Sequence, residues 1–246
     1  MIKFFRKIRQ KLLSQNKFSK YLLYAFGEIV LVVIGILIAL QINNWNNKRL
    51  DNLQAKDVKL NIHNEFIKNQ KILNSSIKLN QDALDACARL IDLTGTDKSD
   101  LLKYNLDSLL NSSLSAEFYF PTRSSLDNVI QSGTLKLLDS EELKNSIQDW
   151  LALLEQMKSY KEVQTEWQNN QYLPFLLDKI SFRQMDIYNK KSWAGKSKID
   201  IDYYPTFQDI RLENLLDNNL FLIEYTIDRL NELNKLQNKI ITLTND

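Results

Sequence analysis

The residues that could do chemistry in this chain are few and far apart. Glu28 is a lone carboxylate inside an apolar stretch, His63 is the only histidine, and Cys87 is the only cysteine. A buried carboxylate can relay protons, a histidine can bind metal, and a thiolate can act as a nucleophile. A metal site needs three or four ligands, however, and none of the three has such partners nearby. We therefore expect His63 to be a surface or packing residue and Cys87 to be a small buried one.

Two groups of carboxylates could bind a cation or act on a substrate. Asp200 and Asp202 form a D-x-D pair, which can hold a divalent ion, but no third ligand lies near them. Asp139, Glu141 and Glu142 stand where a helix is expected to begin, and there they complement its dipole. The spacing of Asp139 and Glu142 resembles a capping box. Both groups are better explained by structure than by catalysis.

Enzyme signatures are missing from the sequence. It has no nucleophile elbow, no histidine-based triad and no phosphate-binding loop, and five glycines leave little material for such sites. We predict no enzymatic activity, no cofactor and no metal. A hydrolase that acts on an envelope polymer through two carboxylates alone stays open as an alternative.

An aromatic and basic segment is the best candidate for a partner surface in the sequence. Residues 183–206 lack regular periodicity and contain Trp193, Tyr203 and Tyr204. Four lysines accompany these rings: Lys190, Lys191, Lys196 and Lys198. The segment either packs on the domain or binds an anionic polymer or a partner. Binding residues are concentrated in loops on a rigid scaffold, so a binding surface, if the chain has one, is expected in this loop.

The element that must position everything else is residues 21–40, YLLYAFGEIVLVVIGILIAL. Thirteen of its twenty residues are Leu, Ile, Val or Phe, and a helix of this length reaches about 30 Å, the thickness of a bilayer core. Those residues contribute roughly −4 to −8 kcal/mol to insertion, which outweighs roughly +2.5 to +3.5 kcal/mol for Glu28. We predict a single transmembrane helix.

One face of this helix suggests contact with another helix. Glu28, Gly35 and Ala39 fall near the same side, and Gly35 with Ala39 forms a pair of small residues that allows close approach. Glu28 has three interpretations: a helix–helix contact, a side chain that snorkels to the interface, or an ion relay. The first predicts a homo-oligomer held through the transmembrane helix. The third predicts an ion-pathway or stator-like accessory subunit.

The residues that flank the apolar stretch predict its orientation. Residues 1–20 carry seven Lys or Arg and no acid, which places the N-terminus in the cytoplasm. Five of the cations surround an apolar stripe typical of a helix that lies on the membrane surface: Lys3, Arg6, Lys7, Arg9 and Lys11. A disordered basic flank is the alternative. Trp45, just after the span, has the place of an interfacial aromatic residue.

Two stretches resemble a known family. The opening, FFRKIRQKLLSQNKFSKYLLYAFGEIVLVVIGILIALQINNWNN, and the later SGTLKLLDSEELKNSIQDW at 132–150 are similar to an uncharacterised family of bacterial single-span membrane proteins. The family is found in organisms with two membranes, so the resemblance implies location in the inner membrane. It brings no activity and no catalytic residue.

The remainder of the chain favours helices. A heptad-like seam runs from Ile62 to Ile91, with Asn69 and Asn80 at positions where a polar residue can fix coiled-coil register. Thr94–Gly95 is typical of a helix end. Phe118, Tyr119 and Phe120 before Pro121 predict an extended segment. A helix that ends ahead of Pro174 and a final helix at about 208–243, kinked near 217–219, complete the prediction.

We therefore predict an all-α protein with one N-terminal transmembrane helix and a helical bundle with long antiparallel helices. Its parts are a basic amphipathic cytoplasmic tail at 1–20, the transmembrane helix at 21–42 and an extracytoplasmic, periplasmic domain at 43–246. Net charge of +2 gives no attraction to nucleic acid. The expected function is a non-catalytic scaffold, sensor or docking protein of the cell envelope, with the lipid bilayer and an unknown envelope protein as partners.

Overall fold

The computed structural model describes residues 18–245, and these are helical with no β-strand among them. The predicted membrane-surface cations Lys3, Arg6, Lys7, Arg9 and Lys11 lie outside the described residues. The α-helices are, in order: α1 Phe18–Asp92, α2 Lys98–Leu101, α3 Leu106–Ser113, α4 Ser124–Gln131, α5 Glu141–Trp167, α6 Leu173–Leu177, α7 Phe182–Met185, α8 Tyr204–Phe207 and α9 Ile210–Thr244. A 3₁₀ turn at Thr134–Leu137 and a π-turn at Gln168–Tyr172 join some of them. The predicted all-α class is confirmed.

The chain divides into two compact units, Met1–Asp57 and Val58–Asp246. In the first unit, the apolar residues of α1 stay exposed: Leu23, Phe26, Leu31 and Leu37 each show more than half of their surface. Among the described residues, α1 is the one helix long and apolar enough to cross a membrane. It is therefore a candidate membrane-spanning helix.

The second unit is organised by long helices that run antiparallel. His63 of α1 contacts Thr244 near the end of α9, and Cys87 contacts Leu216 near its beginning. Side chains of α1, α5 and α9 share one core, in which the rings of Phe66 and Trp150 lie 4.8 Å apart and neither is exposed. The predicted antiparallel bundle is confirmed, and its core follows the seam read from the sequence.

A second core closes the other end of this unit. There the short helices α2, α3, α6, α7 and α8 pack on the last turns of α1 and the first turns of α9, with Tyr172 and Phe207 fully buried among them. Gly95 ends α1 with a φ of 72°, in the left-handed region that favours glycine. The helix end predicted at Thr94–Gly95 is confirmed.

Two predicted helix details are wrong. Ser140, not Asp139, caps α5, because its hydroxyl accepts the Leu143 N–H at 3.1 Å. The helix does not stop ahead of Pro174, since the π-turn at Gln168–Tyr172 leads into α6 with this proline in its first turn. Helix α9 is continuous through residues 217–219, where the sequence predicts a kink.

Candidate binding surfaces

The predicted helix-contact residues all lie in the first unit. Gly35 has open space around it, so that a Cβ there would meet nothing within 4 Å. Ala39 is exposed and Glu28 is half-buried. Trp45 is also exposed, at 69% of its surface. The structure therefore leaves the small-residue face of α1 accessible to another helix.

The aromatic residues predicted for partner binding do not form one patch. Trp193 is 63% exposed and sits beside Arg183 and Asp186, with its indole N–H 3.4 Å from the Asp186 carboxylate. Tyr203 and Tyr204 instead line a pocket of about 700 Å³, the loop pocket, between the start of α3 and residues 200–204. The loop thus offers two separate surfaces.

Asp107 is the polar centre of the loop pocket, and no sequence motif predicts this role. Its carboxylate accepts a hydrogen bond from the Tyr203 hydroxyl and another, at 2.6 Å, from the side-chain amide of Gln184. Burial, followed by the nearby Asp107 carboxylate, raises the pKa of Tyr203 well above its usual range. These bonds fasten α3, α7 and the 200–204 segment to one another, which accounts for Asp107 structurally.

The D-x-D pair at the rim of this pocket is engaged in surface contacts. Asp202 accepts a bond of 3.0 Å from Lys98 and another of 3.1 Å from the Tyr204 N–H, and these bonds lower its pKa. Within residues 18–245 no group of three or more His, Cys, Asp or Glu side chains is placed to hold a metal ion. The interpretation of Asp200 and Asp202 as a solvated segment fits this geometry.

Two buried asparagines of α1 hold residues 115–123, here called the aromatic segment. The Asn69 amide pairs in both directions with Thr122, donating to its carbonyl at 2.7 Å and accepting from its N–H at 2.8 Å. Asn80 donates to the Glu117 carbonyl at 2.7 Å. Neither asparagine is exposed. We name Asn69 and Asn80 the asparagine clamp; their role is to pair a peptide backbone within this chain.

The clamp requires the segment to be extended. Asn69 and Asn80 are eleven residues apart on a helix, or about 16 Å at 1.5 Å per residue. Glu117 and Thr122 are only five residues apart, and five residues reach about 17 Å when fully extended. The order of these partners makes the chain between them run antiparallel to α1, and a largely extended chain, as predicted for Phe118–Phe120, spans the distance.

Glu65 fastens the chain just after the segment. One of its carboxylate oxygens accepts the Ser125 N–H at 2.7 Å and the other accepts the Leu126 N–H at 3.1 Å. These are N–H groups of the first turn of α4, which lack partners within their own helix. The start of α4 is thus capped by the Glu65 carboxylate of α1, which is 5% exposed.

Side chains of the aromatic segment alternate between the core and the surface. Tyr119 is buried and its hydroxyl donates to Gln237 at 2.8 Å, and burial raises its pKa well above its usual range. Phe118 is half-buried and Phe120 is 62% exposed. With α5, the segment borders a cavity of about 710 Å³, here called the aromatic groove. The Lys161 ammonium lies 4.3 Å from the centre of the Phe120 ring.

Comparison with known proteins identifies the family. A family of unknown function, DUF6090, matches residues 28–201, which is more than two thirds of the chain. The chain belongs to this family. No curated protein and no solved structure matches it.

The DUF6090 match begins at Glu28 and includes both residues of the asparagine clamp, the aromatic segment and α5. The uncharacterised family expected from the sequence is thereby confirmed. Helix α9 begins after the matched residues, although it shares the core with α1 and α5.

The two lone reactive side chains are structural in this DUF6090 protein. Cys87 is fully buried, and burial raises its pKa to about 11 against an opposing hydrogen bond from Asn219. His63 is half-buried with its Nδ1 3.0 Å from the Thr244 hydroxyl. The predicted burial of Cys87 and the predicted packing role of His63 are confirmed.

Proposed function

We propose that this protein is a membrane-anchored interaction protein of the cell envelope, which docks, scaffolds or senses a protein partner without catalysis. The observation that carries the proposal is the exposure of the apolar residues of α1 before Asn43, because an apolar helix that the protein itself leaves uncovered is suited to lipid. The bundle that follows is a folded unit with its own cores.

The proposed location is the inner membrane, with the N-terminus in the cytoplasm and the bundle in the periplasm. Seven cations and no acid before the span support this orientation through the positive-inside rule. Trp45, exposed just beyond the apolar residues, supports the exit point, since tryptophan favours the interface.

The ion pairs of the acidic residues at the start of α5 support the proposal that the protein has no catalytic activity. Glu141 pairs with Lys144 at 2.7 Å, and Glu142 pairs with Lys239 of α9 at 2.9 Å. Both acids are thereby engaged in surface ion pairs at the start of α5.

The orientation is tested with a reporter at the C-terminus of the full chain. Alkaline phosphatase is expected to be active there and the chain to stay with the membranes after carbonate extraction, whereas a fluorescent protein that matures only in the cytoplasm is expected to stay dark. An inactive phosphatase fusion together with a fluorescent fusion would show that the C-terminus lies in the cytoplasm and would contradict the proposed topology. Release of the chain from the membranes by carbonate would contradict the proposed membrane anchor.

The interaction role is tested by photocrosslinking in living cells. A benzophenone amino acid replaces Trp193, and the same substitution at Phe221, exposed to the same 63%, serves as the control. A discrete adduct from position 193 and none from position 221 is the expected result. If both positions give no adduct or identical smears, the loop does not dock a protein.

A further inference from the structure

We infer that the aromatic groove binds an extended peptide, which pairs as a strand with the backbone of Phe118–Phe120. This inference rests on the proposed interaction role and names the class of partner for a surface other than the loop pocket. The groove is about 710 Å³ in volume, within the roughly 300–1,000 Å³ typical of binding clefts.

The backbone of the segment is the first argument. Among residues 18–245, no hydrogen bond joins a backbone N–H or C=O of Phe118, Tyr119 or Phe120 to another residue, although Glu117 and Thr122 on either side are held by the clamp. Successive residues of an extended chain direct these groups to opposite edges. The donors and acceptors of Phe118–Phe120 that have no partner among the described residues can pair with a second extended chain, as those of a sheet edge can.

The rigidity of the segment is the second argument. The asparagine clamp and the Tyr119 hydrogen bond to Gln237 hold the segment straight before any partner arrives. A peptide would therefore order only its own backbone on binding, and a preorganised site lowers the entropic cost of association. A segment that these hydrogen bonds hold extended is better prepared for strand pairing than a loop without such bonds.

The side chains that line the groove are the third argument. Leu154 and Met157 of α5 face Phe118 and Phe120 across it and provide apolar contact for alternate side chains of a strand. The charged lining is balanced, with Arg123, Lys158 and Lys161 against Glu155, Glu162 and Glu166. Such a rim has no net charge to attract an anionic headgroup, and an uncharged peptide backbone suits it better than a fatty acid does.

The test uses the full chain in lipid nanodiscs and a phage-displayed library of random nonapeptides. Phe120→Ser removes the exposed wall of the groove, and Phe221→Ser is the matched control because the two rings are 62% and 63% exposed. We expect the library to yield peptides with alternating apolar residues that bind the unchanged chain and Phe221→Ser equally, and Phe120→Ser at least tenfold more weakly.

Strand pairing is separated from apolar adsorption by a second comparison. An enriched peptide is resynthesised with its central amides N-methylated, which removes the hydrogen-bond donors and keeps the side chains. We expect its affinity to fall at least tenfold, and the unmodified peptide to slow hydrogen exchange over residues 115–123.

Three results would overturn the inference: no enrichment over Phe120→Ser, equal binding of the N-methylated peptide, or binding of a dansylated fatty acid in place of any peptide. The first and third concern the groove alone. Membrane anchoring and crosslinking at position 193 would still hold, so failure here is distinct from failure of the proposed function.

Discussion

At the scale of single residues, the polar groups of the core are used to hold backbone. Asn69 and Asn80 on α1 bond main-chain atoms of the segment between α3 and α4, and Glu65 bonds N–H groups in the first turn of α4. Asn219 on α9 donates to the Ser113 carbonyl at 3.2 Å. A buried polar side chain is costly unless it finds partners, and here the partners are the groups of a loop that has none of its own.

Asn69→Ala should destabilise the bundle by about 1–3 kcal/mol, because it removes the two hydrogen bonds that the buried Asn69 amide makes to the backbone of Thr122. The measurement is urea unfolding of the full chain in mild detergent, followed by tryptophan fluorescence. Asn64→Ala, at an exposed position of the same helix, should stay within about 0.5 kcal/mol. Equal losses for the two variants would contradict the clamp.

Cys87 should resist alkylation in the folded protein. A pKa of about 11 lowers the thiolate fraction at pH 8 by about 100-fold relative to the ordinary value of 9.0. Iodoacetamide labelling measured by mass spectrometry should therefore be at least that much slower in native buffer than in urea. Comparable rates in the two conditions would show that the thiol is accessible.

The raised pKa of Cys87 also makes the stability of the fold depend on pH. The thiol of the unfolded chain loses its proton near pH 9, whereas the folded thiol keeps it until about pH 11. Folding is therefore favoured fully below pH 9, and this contribution of Cys87 is lost as the pH rises from 9 to 11.

At the scale of elements, hydrophobic periodicity made the long helices predictable. The features that could not be predicted depend on contacts with residues far along the chain. The seam from Ile62 to Ile91 and the stop at Gly95 are local signals, so they were readable in the sequence. Asn69 and Asn80 lie on this seam, and their positions predict residues that fix the register of a coiled coil. Their true partners, Thr122 and Glu117, lie far along the chain, and no local pattern encodes such a pairing.

Errors in the helix ends have the same origin. Ser140 and Asp139 are both good caps, and the choice between them depends on the backbone angles at the first turn. Pro174 normally predicts a helix end because it lacks an N–H, but the π-turn before it absorbs the lost bond. Asp107 gave no signal because an acid that follows an N-cap has an ordinary explanation in the helix dipole.

Gly35→Leu in α1 should leave membrane insertion intact and weaken self-association of the span. Leucine favours insertion, but its side chain fills the space that a close helix contact needs. A transmembrane association reporter carrying residues 18–45 measures the effect. Leu37→Ile, on the opposite side of the helix, is the control, and unchanged association in Gly35→Leu would exclude this face.

At the scale of the whole molecule, the end of the chain completes the core that α1 begins. Ile240 is fully buried in the cluster that contains Ile62 and Phe66, and His63 meets Thr244 four residues later. The helical class and the antiparallel pairing followed from composition and periodicity. The groove did not, because it is formed by a segment whose place depends on hydrogen bonds to another helix.

Ile240→Ala should lower the free energy of unfolding by about 2–4 kcal/mol through lost burial and the cavity that remains. Ile210→Ala on the same helix, where the side chain is 66% exposed, should change it by less than about 0.5 kcal/mol. Both are measured by urea unfolding of the full chain. A similar small effect at the two positions would mean that the last turns of α9 do not belong to the cooperative unit.

The eleven helical residues from Asn69 to Asn80 and the five extended residues from Glu117 to Thr122 span similar lengths, so the length of each stretch constrains the length of the other. Loss of one residue between Glu117 and Thr122 would shorten the reach of the extended chain by roughly 3.4 Å, more than a hydrogen bond can absorb, whereas an added residue would have to leave the line of the chain as a bulge. A single insertion or deletion between Asn69 and Asn80 would turn one amide about 100° away from its target. Length variation in this lineage should therefore fall in other connections, and these two intervals should be inherited at constant length.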